Sequence, residues 1–444
     1  MNKINVKLKA IVENINTPTV IKTATLPHET EERLFFATQI GEIFYMRNNS
    51  PVLLLDIQDR VIEIGDDEEK GFLGFALHPK FNHNGLFYLH YSLKDSEGPG
   101  ALKTNQDIDS NLKWKDREKN YDHIDTVEEW ILEPNKQTTK IRTILNLRRP
   151  FSNHNGFNTL NFSPENGRLI LTTGDGGHSY DPFNLSQNNM EIAGKIIEID
   201  VDKNTFITKA PIVTRFNELP ISIQEILTVI AKGTRNLSGV IYQKYNDRYI
   251  KFIGSVGQRL VESIFAFIKY KSIPVVDIVT KKEINEEGFV NFGWRAWEGM
   301  LPTTTIKDEE KTIAYYDEAI KLSSNRLLPI LDYFHEDSRS DKFAGTALTG
   351  IRPYNGLEIP DLTGTIIFSD LLDKNNPKKG VLACTKLGSK DFSVIDIIHD
   401  FGEDSAYYVG LGSNKNHTKI YLGVNSLRKA KDKKQSTIYE IVSN

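Results

Sequence analysis

LNFSPENGRLILTTG, residues 160–174, decides how this chain is to be read. A short apolar stretch is followed by a polar turn and then by a stronger apolar run ending at glycine, which is the pattern of a β-hairpin. The same plan recurs in RLFFATQIGEIFYMRN (33–48), VIYQKYNDRYIKFIGSVG (240–257) and GTIIFSDLL (364–372), where the stronger strand again ends in small or acidic residues such as ATQ, GSVG and FSD. Further strand-like segments are GLFYLHYSL (85–93), KGVLACTKLG (379–388), TKIYLGVNS (418–426) and STIYEIVSN (436–444). A sheet motif reused at intervals of tens of residues predicts an all-β chain of the β-propeller kind, whose radial arrangement leaves few sheet edges exposed. The last strand, STIYEIV, is expected to close the ring against N-terminal strands.

Two stretches break this rhythm. Residues 93–126 are charged and turn-rich and read as a long surface insertion, a candidate contact element for a protein partner. Residues 203–232 form the second insertion, in which Pro220 and the apolar spacing of ELPISIQEILTVIAK permit one amphipathic helix. Neither stretch reads as a separate domain, so residues 1–444 are expected to form one body. The basic run RKAKDKK (428–434) reads as a solvated hairpin loop.

The bulk numbers fit an ordinary globular protein: 444 residues, 39% hydrophobic, 26% charged and 10% aromatic. A net charge of -4 argues against a general nucleic-acid binder. Cys384 is the only cysteine, so the fold rests on packing without an internal disulfide. No apolar run approaches the roughly 18 residues of a membrane span, and the N-terminus has no signal-peptide core. The expectation is a soluble protein, intracellular or particle-packaged. The sequons at Asn184, Asn236 and Asn416 are accordingly read as chance.

Five segments in order, EKGFLGFALHPKFNHNGLFYLHYS (69–92), HNGFNTLNFSPENGRLILTTGDGG (154–177) with GKIIEIDVD (194–202), KGTRNLSGV (232–240), SVGQRLVESI (255–264) and NFGWRAWEG (291–299), carry a resemblance. Together they resemble the soluble PQQ-dependent glucose and aldose-sugar dehydrogenases and the related Hedgehog-interacting-protein-like domains. The resemblance implies a six-bladed propeller and the oxidation of an aldose to its lactone with PQQ and calcium. It also leaves a second expectation, a catalytically inactive propeller that serves as a binding or structural protein.

The site follows residue by residue. A histidine at a loop mouth suits proton removal near neutrality, and His154 matches the base of the family's HNGG-type motif. Asn153 stands where some members carry an aspartate, and Phe157 replaces the second glycine. Arg235 and Asn236 match the pair that contacts the quinone oxygen, where a guanidinium stabilises developing negative charge. Glu69 and Lys378 match residues at the active-site rim and at a PQQ carboxylate. Gly257 and Gln258 match the calcium-binding turn, and Phe292 matches a residue that contributes a carbonyl. Glu262 is what remains of an acidic pair, with Ser255 and Ser263 in the other positions. No counterpart of the arginines that embrace the remaining PQQ carboxylates is evident.

Overall fold

The hairpin at 160–174 forms as its pattern demands. Leu160–Phe162 pairs antiparallel with Leu169–Thr172, with Leu160 opposite Leu171 and Phe162 opposite Leu169. The turn closes on Ser163 O, which accepts the N–H of Gly167 at 2.9 Å, and Gly167 takes the left-handed φ of 71° that a side chain would strain. Asn166 Oδ1 then accepts the N–H of Arg168 at 3.0 Å, an Asx-type lock on the same turn. Lys195–Ile199 adds antiparallel to Leu169–Thr172, and Leu227–Lys232 adds to its far side.

The computed structural model describes residues 4–65, 68–96, 121–203, 210–268, 275–277, 283–284, 289–303, 307–308, 311–312, 326–335, 342–398, 401, 404–426 and 434–444. Among these the chain is nearly all strand, and its helices are single turns such as Phe81–Asn84 and Ile221–Gln224. No described helix is long and apolar enough to cross a membrane.

The hairpin plan repeats along the chain as antiparallel meanders. Pro18–Thr25 leads Glu32–Thr38, Glu42–Arg47 and Ser50–Asp56. Phe72–Leu77 leads Leu86–Ser92, His123–Leu132 and Thr138–Arg149. Asn236–Tyr245 leads Arg248–Val256 and Val261–Ile268. Leu348–Tyr354 leads Thr365–Asp370, Val381–Lys386 and Phe392–Ile397. Tyr407–Ser413 leads Ile420–Asn425 and Ser436–Ser443, and that last strand pairs antiparallel with Ile4–Ile15. The first strand of each meander lies against the first strand of the next, and Tyr407–Ser413 comes back to Pro18–Thr25.

The core sits between neighbouring meanders. Tyr88, Val127, Leu145 and Leu147 of one sheet pack on Leu160, Leu171, Ile197 and Ile199 of the next, and Phe35, Ala37 and Ile43 pack on Phe72, Phe75 and Phe87. Each fully buried Leu, Ile or Phe contributes about 1.5–3 kcal/mol of transfer free energy, so these layers fix the strand entrances that carry the site.

One expectation is corrected. The stretch 218–232 holds one helical turn, Ile221–Gln224, and not an amphipathic helix, because Leu227–Lys232 joins the sheet beside Lys195–Ile199. Thr228, Val229 and Ile230 are β-branched, and pairing with a buried strand outweighs the helical spacing of the apolar residues. Of the insertion expected at 93–126, residues 97–120 lie outside the described residues, and its end, from His123, already belongs to His123–Leu132. Residues 428–433 of the basic run also lie outside them.

Candidate active site

The segments entering three first strands converge: Glu69 before Phe72–Leu77, His154 before Leu160–Phe162 and Arg235 before Asn236–Tyr245. His154 has a left-handed backbone, φ 56°, and both of its peptide groups are held. Its N–H donates to Glu69 Oε2 at 2.8 Å, and its carbonyl accepts Arg149 Nη2 at 2.9 Å. A side chain at Gly174 would lie 1.6 Å from the His154 carbonyl oxygen, so only glycine lets the two loops meet.

The imidazole lies in a chain of hydrogen bonds. Nδ1 is 2.8 Å from Asp175 Oδ1, and Nε2 is 2.8 Å from Arg235 Nη2. Because a guanidinium only donates, Nε2 presents its lone pair and the ring proton sits on Nδ1 facing the carboxylate. Asp175 is itself fixed by Trp294 Nε1 at 2.8 Å and by the Gly177 N–H at 2.9 Å. Arg235 also donates to Val256 O at 3.1 Å and to Gln258 Oε1 at 3.1 and 3.3 Å, and its guanidinium lies 5.6 Å from the Trp294 ring centroid. His154, Asp175 and Arg235 are all buried.

The other expected residues fall into two sets. Asn236 locks the loop, giving Nδ2 to Glu69 Oε2 at 2.9 Å and accepting the Gly156 N–H on Oδ1 at 3.0 Å. Asn153 does not face His154; its Oδ1 accepts the N–H of His178 at 3.2 Å. The Phe157 N–H donates to Leu237 O at 3.2 Å. Lys378 is exposed in the turn between Thr365–Asp370 and Val381–Lys386, a different sheet from that of His154.

The turn 257–262 is organised by a residue that sequence reasoning missed. Glu298 Oε1 accepts the backbone N–H groups of Gln258, Arg259, Leu260 and Val261 at 2.7, 2.9, 2.7 and 3.2 Å. Glu262 is turned elsewhere: Oε1 faces the Gly257 N–H and His335 Nδ1, and Oε2 accepts the Leu348 N–H at 2.9 Å. Burial would favour a neutral His335, yet the Glu262 carboxylate against Nδ1 pushes its pKa up. Beside the turn is a cavity of about 20 Å³ lined by Arg235, Gly257, Ser263, Phe292, Trp294 and Glu298. Among the described residues Glu298 Oε2 is buried without a hydrogen-bond partner, and the buried Ser263 Oγ has only Asp332 beside it. Asp175, Trp294 and Glu298 stood inside the quoted motifs TTGDGG and NFGWRAWEG, and the acidic strand end of TGD was the signal for Asp175.

The sequence profile of the glucose/sorbosone dehydrogenases matches residues 19–258, more than half of the chain. The chain belongs to this family. The HIPL1 protein of Arabidopsis thaliana is 25% identical to this chain over 378 residues, 78% of this chain and 50% of that protein. The HIPL2 protein of the same plant is 25% identical over 395 residues, 81% of this chain and 52% of that protein. The chain thus spans about half the length of these curated relatives. The PQQ-bound aldose sugar dehydrogenase of Streptomyces coelicolor matches with a TM-score of 0.60 at 16% identity, over 98% of this chain and 97% of that one. The apo form of the soluble aldose sugar dehydrogenase of Escherichia coli gives 0.60 at 15% identity, over 99% and 100%. At these identities the two structures establish a shared fold.

A member of this family raises the question of whether PQQ and calcium suit the residues present. For calcium, the free Glu298 Oε2 and the Ser263 Oγ at this small cavity are hard donors of the required type, but both oxygens of Glu262 are engaged and no cluster of three or more metal-ligating side chains is present among the described residues. For PQQ, a tricarboxylate, Arg149 and Arg235 are committed to protein acceptors, whereas Arg326, over the Trp297 ring and donating Nη1 to Gly299 O, keeps a buried Nε without an acceptor among the described residues. Burying carboxylates without cationic partners is unfavourable, so PQQ would need Arg326, or Arg235 released from Val256 and Gln258, to answer its carboxylates.

Proposed function

We propose that this member of the glucose/sorbosone dehydrogenase family oxidises the hemiacetal carbon of an aldose, giving a lactone. The Asp175–His154–Arg235 chain, with 2.8 Å on each side of the imidazole, is the observation that carries the reading. His154 Nε2 holds the lone pair that takes the hydroxyl proton, and Asp175 stabilises the imidazolium that results. A sugar hydroxyl reaches Nε2 by replacing Arg235 Nη2, while the bonds of Arg235 to Val256 and Gln258 keep the guanidinium beside the oxygen. PQQ with calcium is the acceptor system that the resemblance supplies. Glu298, Ser263 and the Gly257–Gln258 turn would hold the calcium, which would supply Lewis acidity there. The proposed frame is one six-bladed propeller, each meander forming a blade.

A second reading is a binding propeller without redox chemistry, for a sugar or a protein partner, and the engaged cations favour it. One experiment separates the two. The purified chain is loaded with PQQ and calcium and assayed by dye reduction over an aldose panel, with PQQ binding followed by calorimetry. Turnover that disappears in His154→Ala supports the enzyme. Sugar binding without turnover or PQQ uptake supports the second reading.

A further inference from the structure

Three strands of one meander place a buried ion pair against the His154 loop. Their register sets Ser92 of Leu86–Ser92 opposite Asp125 of His123–Leu132, and His123 opposite Arg149 at the end of Thr138–Arg149. Asp125 Oδ1 accepts Ser92 Oγ at 2.7 Å and faces His123 Nε2 at 3.1 Å, while Oδ2 lies 3.4 Å from Arg149 Nε. His90 Nε2 stands 3.8 Å from the same Oδ2, and its Nδ1 is fixed by Thr159 Oγ1 at 2.7 Å. All of these side chains are buried.

The Arg149 guanidinium aims its donors at both loops of the site. Nη2 donates to His154 O at 2.9 Å and to Gly174 O at 3.4 Å, Nη1 reaches Gly174 O at 3.5 Å, and Nε donates to Asn155 Oδ1 at 2.8 Å. Gly174 directly precedes Asp175. One side chain therefore holds the backbone that carries the imidazole and the backbone that carries its carboxylate partner. Burial disfavours the charge on Asp125, yet His123, His90 and Arg149 hold its carboxyl below the usual carboxylate range. Arg149 in turn feels two carboxylates, Asp125 first and Asp175 second. A buried cation that loses its partner is strongly unfavourable, so without Asp125 the guanidinium is drawn to Asp175 and competes with His154 Nδ1 for it.

We propose that Asp125 is a positioning residue for His154. Acting through Arg149, it keeps the guanidinium on the two loop carbonyls and leaves the Asp175 carboxylate to the imidazole. Asp125 itself has no contact with the His154 ring. Its importance for turnover rests on the reading of His154 as the proposed base, whereas the arrangement of the ring is a property of the folded chain and needs neither PQQ nor calcium. A buried ion pair often adds no net stability over apolar residues of the same volume, so the use of this one is geometric: it selects a single arrangement of the two loops.

Nitrogen chemical shifts of the His154 ring, read beside aldose kinetics in the native chain, Asp125→Asn, Arg149→Met and the double variant, test this. In Asp125→Asn the fraction of His154 protonated on Nδ1 falls, and kcat drops on the order of 100-fold while KM changes by less than about twofold. In the Arg149→Met background, Asp125→Asn changes neither readout further, because the carboxylate acts through the guanidinium. Ring shifts unchanged in Asp125→Asn overturn the proposal. So does an Asp125→Asn effect of the same size with and without Arg149, which makes the carboxylate's own field the cause. If the chain turns over no aldose, the reading of His154 as base fails, while the ring shifts still decide the positioning. Should Asp125→Asn not fold, Ser92→Ala, which frees one carboxylate oxygen, decides in its place: a smaller shift of the same sign supports the role, and an unchanged ring overturns it.

Discussion

His154 owes its usefulness to two neighbours that do opposite things to its ring. Asp175 fixes the proton on Nδ1, and Arg235 occupies the lone pair on Nε2 until a hydroxyl replaces it. In a chain that oxidises aldoses, His154→Ala lowers kcat by about 10²–10⁴, the ordinary contribution of a positioned base, with folding intact by circular dichroism. Asp175→Asn lets an amide N–H face Nδ1 and favours the other tautomer; nitrogen chemical shifts of the ring report the switch, and turnover falls in step with it. The sequence showed the histidine plainly but pointed to Asn153 as its neighbour. The carboxylate arrives from position 175 because the loops meet through Gly174, a contact made across the sheet.

At the scale of the element, the turn 257–262 is a row of N–H groups folded around one carboxylate oxygen. A charge-assisted bond of this kind contributes about 1.5–3 kcal/mol net, and four N–H groups share this one oxygen, so Glu298→Ala lowers the unfolding free energy by at least about 3 kcal/mol in urea titration. Glu298→Gln keeps an acceptor but removes the charge; it spares most of the stability and, in a chain that holds calcium at this turn as proposed, weakens that binding at least about tenfold by calorimetry. Strands were legible wherever a polar turn separated two apolar runs, as at 160–174, because turn chemistry and period agree there. Leu227–Lys232 was not legible, since Ile, Leu and Val at that spacing satisfy a helix and a strand alike, and the decision came from a vacant place beside Lys195–Ile199. Glu298 was hidden for a similar reason: a carboxylate that caps a turn 37 residues earlier leaves no local pattern.

For the molecule as a whole, stability depends on carboxylic acids and cations buried in the same body. Burial pushes Asp332 up to about 7, so the folded chain binds a proton there more tightly than the unfolded chain does. Its contribution is full below pH 4, near the unfolded value, and is lost as pH rises to about 7. Asp181 and Asp370, pushed up by burial to about 6 and about 7, act in the same sense, and His90 and His417, pushed down by burial to about 4, act in the opposite sense between pH 4 and 6.5. The clean measurement is a difference: Asp332→Asn gains on the native chain by on the order of 4 kcal/mol between pH 4 and 7 and runs parallel to it above, by chemical denaturation. The pairing of Ser436–Ser443 with Ile4–Ile15 was legible because a circular array of sheets is commonly closed by joining the last strand to N-terminal ones, and its core residue Ile438 has no exposed surface. Ile438→Ala is accordingly expected to cost about 2–4 kcal/mol in the same assay. The pairing also sets a timetable. On a ribosome adding about 5–20 residues per second, Ile4–Ile15 is made roughly 20–90 s before its antiparallel partner. Through that interval it is an unpaired edge, so aggregation of nascent chains, relieved by a holdase chaperone, should concentrate on this first strand.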